Sequence, residues 1–194
     1  RFMNNILIII PTYNESANIS TLIEQILLID PNYKILVVDG NSTDNTSDIV
    51  INMSKKNSKV YLINQLKRNG IGGAYCDGFK YAIKNKFKKI VQIDSDFSHN
   101  PNDIPRLIEM SNKYDLVIGV RDLRNLKQVS TKRAFLTKLF NKVTKLILST
   151  KISDPLTGFF AGKISLLNTK FFLLTNSGFK VLLDLIFANK KNNI

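Results

Sequence analysis

A single cysteine, Cys76, and a single histidine, His99, occur in this chain of 194 residues. One cysteine excludes an intrachain disulfide and any cysteine-cluster metal site, which suits a reducing compartment or a cytosolic membrane face. Cys76 itself reads as a small helix residue. With no second histidine and no Ser-His-Asp ordering, His99 reads as a loop hydrogen-bonding residue rather than a base. Glutamate is scarce, and Glu15, Glu24 and Glu109 are all there are. No uninterrupted run reaches the ~20 apolar residues that a membrane-spanning helix needs. The apolar stretch from Ile6 to Ile10 is too short for a signal peptide and lacks a cleavage region, so export is not indicated. Internal repeats and low-complexity linkers are absent as well. The chain opens on Arg1 and stops in "NKKNNI", and it reads as a C-terminally truncated piece of a longer protein.

What remains is enough for one domain with a sizeable core, at 44% apolar and 9% aromatic residues. Net charge is +13, unevenly spread. Residues 1–120 hold 14 Lys/Arg against 12 Asp/Glu, whereas residues 121–194 hold 14 against 3. The positive charge therefore describes a local surface in the last third, suited to a phosphate-bearing partner. A nucleic-acid module is the rival explanation. It is not favoured, because no recognition motif and no basic strip interleaved with aromatics is present.

Short apolar runs alternate with segments of helical period. Strands are expected at Ile6–Ile10, Lys34–Val38, Lys59–Ile63, Lys89–Ile93 and Asp115–Gly119, each rich in Ile and Val and bounded by polar or Pro/Gly residues. Between the first two, Ile19, Leu22, Ile23, Ile26 and Leu27 form one helix face. Further helices are expected over Thr46–Lys56, Gly73–Lys84 and Asp103–Lys113. This alternation predicts an α/β fold with a mostly parallel central sheet flanked by helices. In such sheets ligands bind beyond the carboxyl ends of the strands. The polar clusters all follow strands: Pro11 to Glu15, Asp39 to Asp44, "NQLKRNGIGG", Asp94 to Ser98, and Arg121. Gly70, Gly72 and Gly73 read as a tight turn at a helix start, since their spacing is not that of a dinucleotide fingerprint. Later, "RAFLTKLFNKVTKLILST" carries an apolar stripe flanked by Lys138, Lys142 and Lys145, "SDPLTGFFAGK" reads as a turn and a short strand, and a final helix follows.

The stretch "VQIDSDFSHNP" puts Asp94 and Asp96 two residues apart after a strand. Such a pair arises about once by chance in a chain of this composition, so its place at the sheet edge is what gives it meaning. If the chain stays extended there, both carboxylates point to one side. They can then share a hard divalent cation that keeps open positions for phosphate oxygens.

Taken in order, "IIIPTYNESANI", "ILVVDGNSTDNT", "GIGGAYCDGFKYAI", "VQIDSDFSHNPNDIP", "DLVIGVR" and "SDPLTGFFAGK" resemble family 2 glycosyltransferases, in their dolichol- or polyprenol-phosphate mannosyltransferase branch. The resemblance spans essentially the whole chain. It implies a GT-A (Rossmann-like) fold, a nucleotide-diphospho-sugar donor, usually GDP-mannose, and inverting transfer of a hexose to polyprenyl or dolichyl phosphate. By the same resemblance, Pro11, Tyr13 and Glu15 line the nucleotide pocket and Asp39 meets the base or ribose. Asp94 and Asp96 approach a diphosphate bound through Mg²⁺ or Mn²⁺, with Ser98 as a further metal or phosphate contact. Arg121 meets phosphate, and Arg133 contacts the acceptor phosphate, so Asp96, Arg121 and Arg133 are the expected catalytic groups.

Residues 1–120 are then the nucleotide-sugar half, and residues 121–194 the basic, acceptor- and membrane-facing half of the same domain. That half would lie on the cytoplasmic face of a membrane as a peripheral surface, with a membrane-embedded segment or partner beyond it. The pattern has departures. Gly40 replaces an acidic residue of the family's "DDGS" motif, Asn41 and Asn45 stand where Gly is frequent, and Ser98 stands where many relatives carry Gln. The family's later donor-closing loop is also missing. Another donor, a glycan acceptor, or a non-catalytic nucleotide-sugar sensor are the alternatives these departures leave open.

Overall fold

A computed structural model describes residues 5–120, 157–168, 172 and 181–189. Arg121, Arg133 and the lysine-flanked helix expected over residues 133–150 lie outside the described residues. The chain alternates β1 (Ile6–Thr12), α1 (Ile19–Ile29), β2 (Lys34–Asp39), α2 (Thr46–Lys56), β3 (Val60–Asn64), α3 (Gly70–Lys84) and β4 (Lys89–Gln92). A 3-10 turn, Pro101–Asp103, leads into α4 (Ile104–Met110), and β5 (Leu116–Ile118) follows. Beyond the undescribed stretch come β6 (Phe160–Lys163) and α5 (Val181–Asn189).

The described strands form one sheet in the order β3-β2-β1-β4-β6-β5. The pairs β1–β2, β1–β4 and β2–β3 are parallel, whereas β6 pairs antiparallel with both β4 and β5. β5 therefore runs in the same direction as β4 although it does not touch it, and its carboxyl end opens on the same edge. The sheet is mostly parallel, as expected from the alternation. The reversed strand from late in the chain, wedged between β4 and β5, is a long-range pairing that local periodicity does not encode.

β1 is apolar from Ile6 to Ile10 because both of its faces are covered. Ile6, Ile8 and Ile10 pack with Ile19, Leu22, Ile23 and Ile26 of α1 and with Ile104 and Leu107 of α4. Leu7 and Ile9 point the other way, against Tyr75 and Phe79 of α3 and Leu182 and Leu185 of α5. Each such side chain contributes about 1.5–3 kcal/mol on burial, so this one strand supplies on the order of 10 kcal/mol of gross hydrophobic stabilisation. The stripe read on α1 is the buried one, and Leu28, off that stripe, is 83% exposed.

Substitution should follow this division. Phe79, with no exposed surface, is expected to cost ~3–5 kcal/mol when changed to Ala. Leu28→Ala is expected to stay within ~0.5 kcal/mol. Urea denaturation midpoints of the two variants measure the difference, and equal midpoints would contradict the packing described.

Candidate active site

Parallel strands end together, so the loops after β1, β2 and β4 and the start of α3 meet at one edge. The first two loops are tied to each other by many hydrogen bonds. Gly40 N–H donates to the Thr12 carbonyl at 2.9 Å, and the Asn14 N–H donates to Ser42 Oγ at 2.8 Å. Thr43 N–H returns a bond to Asn14 Oδ1 at 2.9 Å. The Glu15 and Ser16 N–H groups donate to Thr46 Oγ1 at 2.9 Å and Asp44 Oδ2 at 3.0 Å. Such stitching demands unusual backbone, and Asn14, Asn41 and Phe97 all adopt positive φ, between 56° and 62°. Asn is among the residues that tolerate this region best, which explains how Asn41 can stand where Gly is frequent.

Inside this edge lies a cavity of about 340 Å³ lined by Pro11, Thr12, Tyr13, Glu15, Gly40 and Arg68, together with Gly70, Ile71, Ala74, Asp94, Ser95 and Asp96. The Arg68 guanidinium lies over the Tyr13 ring, 3.8 Å from its centroid, a cation–π contact that holds both at the cavity wall. Glu15 accepts from Asn18 Nδ2 at 2.8 Å. Pro11 takes part through its carbonyl, which accepts from Ser95 Oγ at 3.3 Å.

The two aspartates reach the cavity by a route other than the extended chain expected. β4 ends at Gln92, and residues 95–96 already form a turn. Asp96 Oδ1 accepts the Ser98 N–H at 3.0 Å, closing that turn. Asp94 Oδ1 accepts from the Tyr75 hydroxyl at 3.3 Å. Burial, and after it the adjacent Asp94 carboxylate, push the Tyr75 pKa well above its ordinary value. Tyr75 thus remains a donor to Asp94 at every physiological pH. On the other flank sits Gly158, where an added Cβ would lie 2.1 Å from Asp94 Oδ2. Only a residue without a side chain lets the backbone before β6 press on that carboxylate.

This donor set fits a hard divalent cation held by few protein ligands, the remaining positions going to water and phosphate oxygens. Among the described residues no cluster of three or more His, Cys, Asp or Glu forms a closed metal cage.

Of the residues singled out from the sequence, Pro11, Tyr13, Glu15, Asp94 and Asp96 share this one cavity. Asp39 and Ser98 are placed differently. Asp39 has no exposed surface and accepts four bonds, from Thr12 Oγ1, Ser42 N, Ser42 Oγ and Ser47 Oγ, at 2.5–2.9 Å. A base or ribose contact by Asp39 would require one of these donors to yield. Ser98 does not line the cavity and contributes its backbone N–H to Asp96. His99 is a hydrogen-bonding residue, its Nε2 lying 2.9 Å from Thr157 Oγ1 with its ring against Phe159. Sequence reading passed over Arg68 and Tyr75. Arg68 lies within "NQLKRNGIGG", read for its glycines, and Tyr75 within "GIGGAYCDGFKYAI", where no spacing marks it as polar in role.

Residues 7–171 match the family model described as Glycosyl transferase family 2. The chain belongs to glycosyl transferase family 2. Within that family it is 31% identical over 156 residues to the undecaprenyl-phosphate mannosyltransferase of Micrococcus luteus, covering 79% of this chain and 64% of that protein. It is 34% identical over 196 residues to the dolichol-phosphate mannosyltransferase of Pyrococcus furiosus, covering 96% of this chain and 53% of that one. The chain therefore spans between about half and two thirds of the length of these curated relatives. Among solved structures it resembles glucosyl-3-phosphoglycerate synthase from Mycobacterium tuberculosis in complex with Mn²⁺, UDP and glucosyl-3-phosphoglycerate, with a TM-score of 0.65 at 21% identity over 98% of this chain and 66% of that chain. It also resembles the mannosyltransferase PcManGT from Pyrobaculum calidifontis in complex with GDP-Man and Mn²⁺, with a TM-score of 0.59 at 20% identity over 84% of this chain and 45% of that chain. At such identities these likenesses establish the fold, which is GT-A.

Two outcomes are expected from the site geometry. Gly158→Ala would drive its Cβ against Asp94 Oδ2, 2.1 Å away, and is expected to cost about 1–3 kcal/mol of stability, read as a lowered thermal unfolding midpoint; an unchanged midpoint would show that Asp94 has no fixed position to lose. Asp44 supplies a pH test. Burial, the largest single influence, raises its pKa, but the hydrogen bonds from Thr46 and Ser16 together outweigh it and lower the value from 3.8 to about 2. Because the folded pKa is the depressed one, this stabilisation is complete above about pH 4 and is lost as pH falls towards 2. Asp44→Asn is expected to flatten the dependence of stability on pH in that window and to leave its slope near neutrality unchanged.

Proposed function

We propose that this chain is the donor-binding and catalytic part of an inverting transferase that moves mannose from GDP-mannose to polyprenyl or dolichyl phosphate. The observation that carries this reading is the junction of Asp94 and Asp96 with Glu15, Tyr13 and Arg68 in one edge cavity. Its support comes from the naming of the relatives as undecaprenyl- and dolichol-phosphate mannosyltransferases. GDP-mannose as donor is supported by the GDP-Man bound in the similar mannosyltransferase structure.

In this reading Asp94 and Asp96 hold Mn²⁺ or Mg²⁺, which when bound neutralises the charge that collects on the departing diphosphate. Tyr75 and the backbone at Gly158 fix Asp94 beforehand, so little reorganisation accompanies the reaction. Asp96 is fixed by its own turn. Arg68, stacked on Tyr13, presents a second cation to the donor. On the family resemblance we assign Arg121 to the diphosphate and Arg133 to the acceptor phosphate, and we assign residues 121–194, with their excess of 14 basic over 3 acidic side chains, to an anionic cytoplasmic membrane surface. An acceptor that is already an anionic phosphate needs little help from a general base, which agrees with the scarcity of Glu and His. Among the described residues no helix is long and apolar enough to cross a membrane.

A donor screen tests the proposal. GDP-mannose, GDP-glucose, UDP-glucose and UDP-N-acetylglucosamine are offered with Mn²⁺ or Mg²⁺ and a short polyprenyl phosphate. Mannosyl transfer from GDP-mannose is expected, with a loss of at least about a hundredfold in Asp96→Asn at unchanged thermal stability. Turnover that survives in Asp96→Asn would remove that carboxylate from the mechanism.

A further inference from the structure

Gln92 is the last residue of β4 and is 1% exposed, a polar side chain that follows the buried Ile90 and Val91. Its Nε2 donates to the Gly158 carbonyl at 3.0 Å. A carbonyl only accepts, so this bond fixes which way round the amide sits. Gln92 Oε1 is then buried with no hydrogen-bond partner among the described residues. An apolar side chain of similar size would avoid that cost, and a buried amide with its oxygen unmet calls for a reason.

The reason lies two residues further along. β4 and β6 pair antiparallel, and Gln92 opposite Phe160 is their last pair towards the carboxyl edge of β4. Two more steps in that register bring Asp94 opposite Gly158. The ladder has ended by then, and the Gln92 amide supplies a link to Gly158 in its place. That link matters because a Cβ on Gly158 would lie 2.1 and 2.2 Å from the two carboxylate oxygens of Asp94, so the Gly158 backbone stands directly against the carboxylate. From α3, the Tyr75 hydroxyl donates to Asp94 Oδ1 at 3.3 Å. Gln92 borders this support as well: burial is what most raises the Tyr75 pKa, and the Gln92 side chain, a hydrogen-bonding neighbour of the hydroxyl, works in the opposite sense. One amide adjoins both groups that confine Asp94.

We infer that Gln92 is a positioning residue, which keeps the Gly158 backbone and the Tyr75 hydroxyl against Asp94 so that this carboxylate is already in place when the donor's metal ion arrives. Gln92 does not line the cavity and acts only through these two neighbours. A carboxylate left free to rotate has to be ordered by the cation, and that ordering is subtracted from affinity. The inference rests on the reading of Asp94 as a metal-binding group and adds to it the side chain that orients that group.

Calorimetric titration with GDP and with UDP, once in Mn²⁺ and once in EDTA, gives the factor by which the metal strengthens nucleotide binding. Asp94→Asn marks the loss expected when the carboxylate itself is removed. Gln92→Met, similar in size but without a donor, is expected to reduce the factor about tenfold while metal-free affinity stays within about twofold of the unaltered chain. Gln92→Asn, whose amide falls one methylene short of Gly158, is expected to do the same, and it decides the matter if Gln92→Met does not fold. Tyr75→Phe is expected to act alike. Combined with Gln92→Met, it should lose no more than about threefold beyond the worse single variant, because a carboxylate already released has little left to lose. A Gln92 that served the fold alone would lower metal-free and metal-bound affinity together, and that result overturns the inference. So do Gln92 variants that keep the factor which Asp94→Asn removes, and so do losses that multiply in the double variant. If neither nucleotide binds, if Mn²⁺ brings no gain, or if Asp94→Asn leaves the gain intact, the metal and nucleotide-sugar reading falls and this inference with it.

Discussion

The Asp39 carboxylate, fully buried at the end of β2, accepts four hydrogen bonds at the point where two loops and a helix meet. Burying a carboxylate costs several kcal/mol, and hydrogen bonds to a charged group contribute about 1.5–3 kcal/mol each. Together, four such bonds offset that cost. Thr12 must therefore sit at the end of β1, Ser42 in the loop after β2, and Ser47 in the first turn of α2. The positions of Tyr13 and Glu15 follow, because the chain has no freedom left between Thr12 and the bonds that Asn14, Glu15 and Ser16 give to the second loop. One buried charge thus fixes half of the cavity wall.

The other half is fixed by a different device. Asp94 is squeezed between the Tyr75 hydroxyl of α3 and the backbone of Gly158, so a helix and the late strand β6 both bear on it. The antiparallel insertion of β6 between β4 and β5 is what brings Gly158 there. Gln92 strengthens that junction by donating from Nε2 to the Gly158 carbonyl at 3.0 Å. The sheet topology and the presentation of the carboxylate are the same fact at two scales. Regular strands supply rigidity, and the short left-handed backbone segments at Asn14, Asn41 and Phe97 turn the polar side chains where the strands cannot.

Much of this was legible without coordinates. Apolar runs such as Ile6 to Ile10 announce a strand covered on both faces, and the spacing of Ile19, Leu22, Ile23 and Ile26 announces the helix that covers one of them. The rule that ligands meet the carboxyl edge of a parallel sheet then gathers Pro11, Tyr13, Glu15, Asp94 and Asp96. Asp39 stands apart: its type and place in the motif point to a ligand contact, yet its acceptors are consumed internally, and no spacing rule tells a buried acceptor from an exposed one. Arg68 and Tyr75 were missed for a related reason, since their partners, Tyr13 and Asp94, are 55 and 19 positions away in the chain.

By itself, the order of residues determined the alternation of strands and helices, the edge at which chemistry collects, and the kind of groups gathered there. These are consequences of local period and of one general property of parallel sheets. Tertiary structure alone decided which carboxylates face the cavity and which are consumed inside, and where β6 enters. Those outcomes depend on distances between residues far apart in the chain, set by packing of whole elements, and local sequence carries no measure of them.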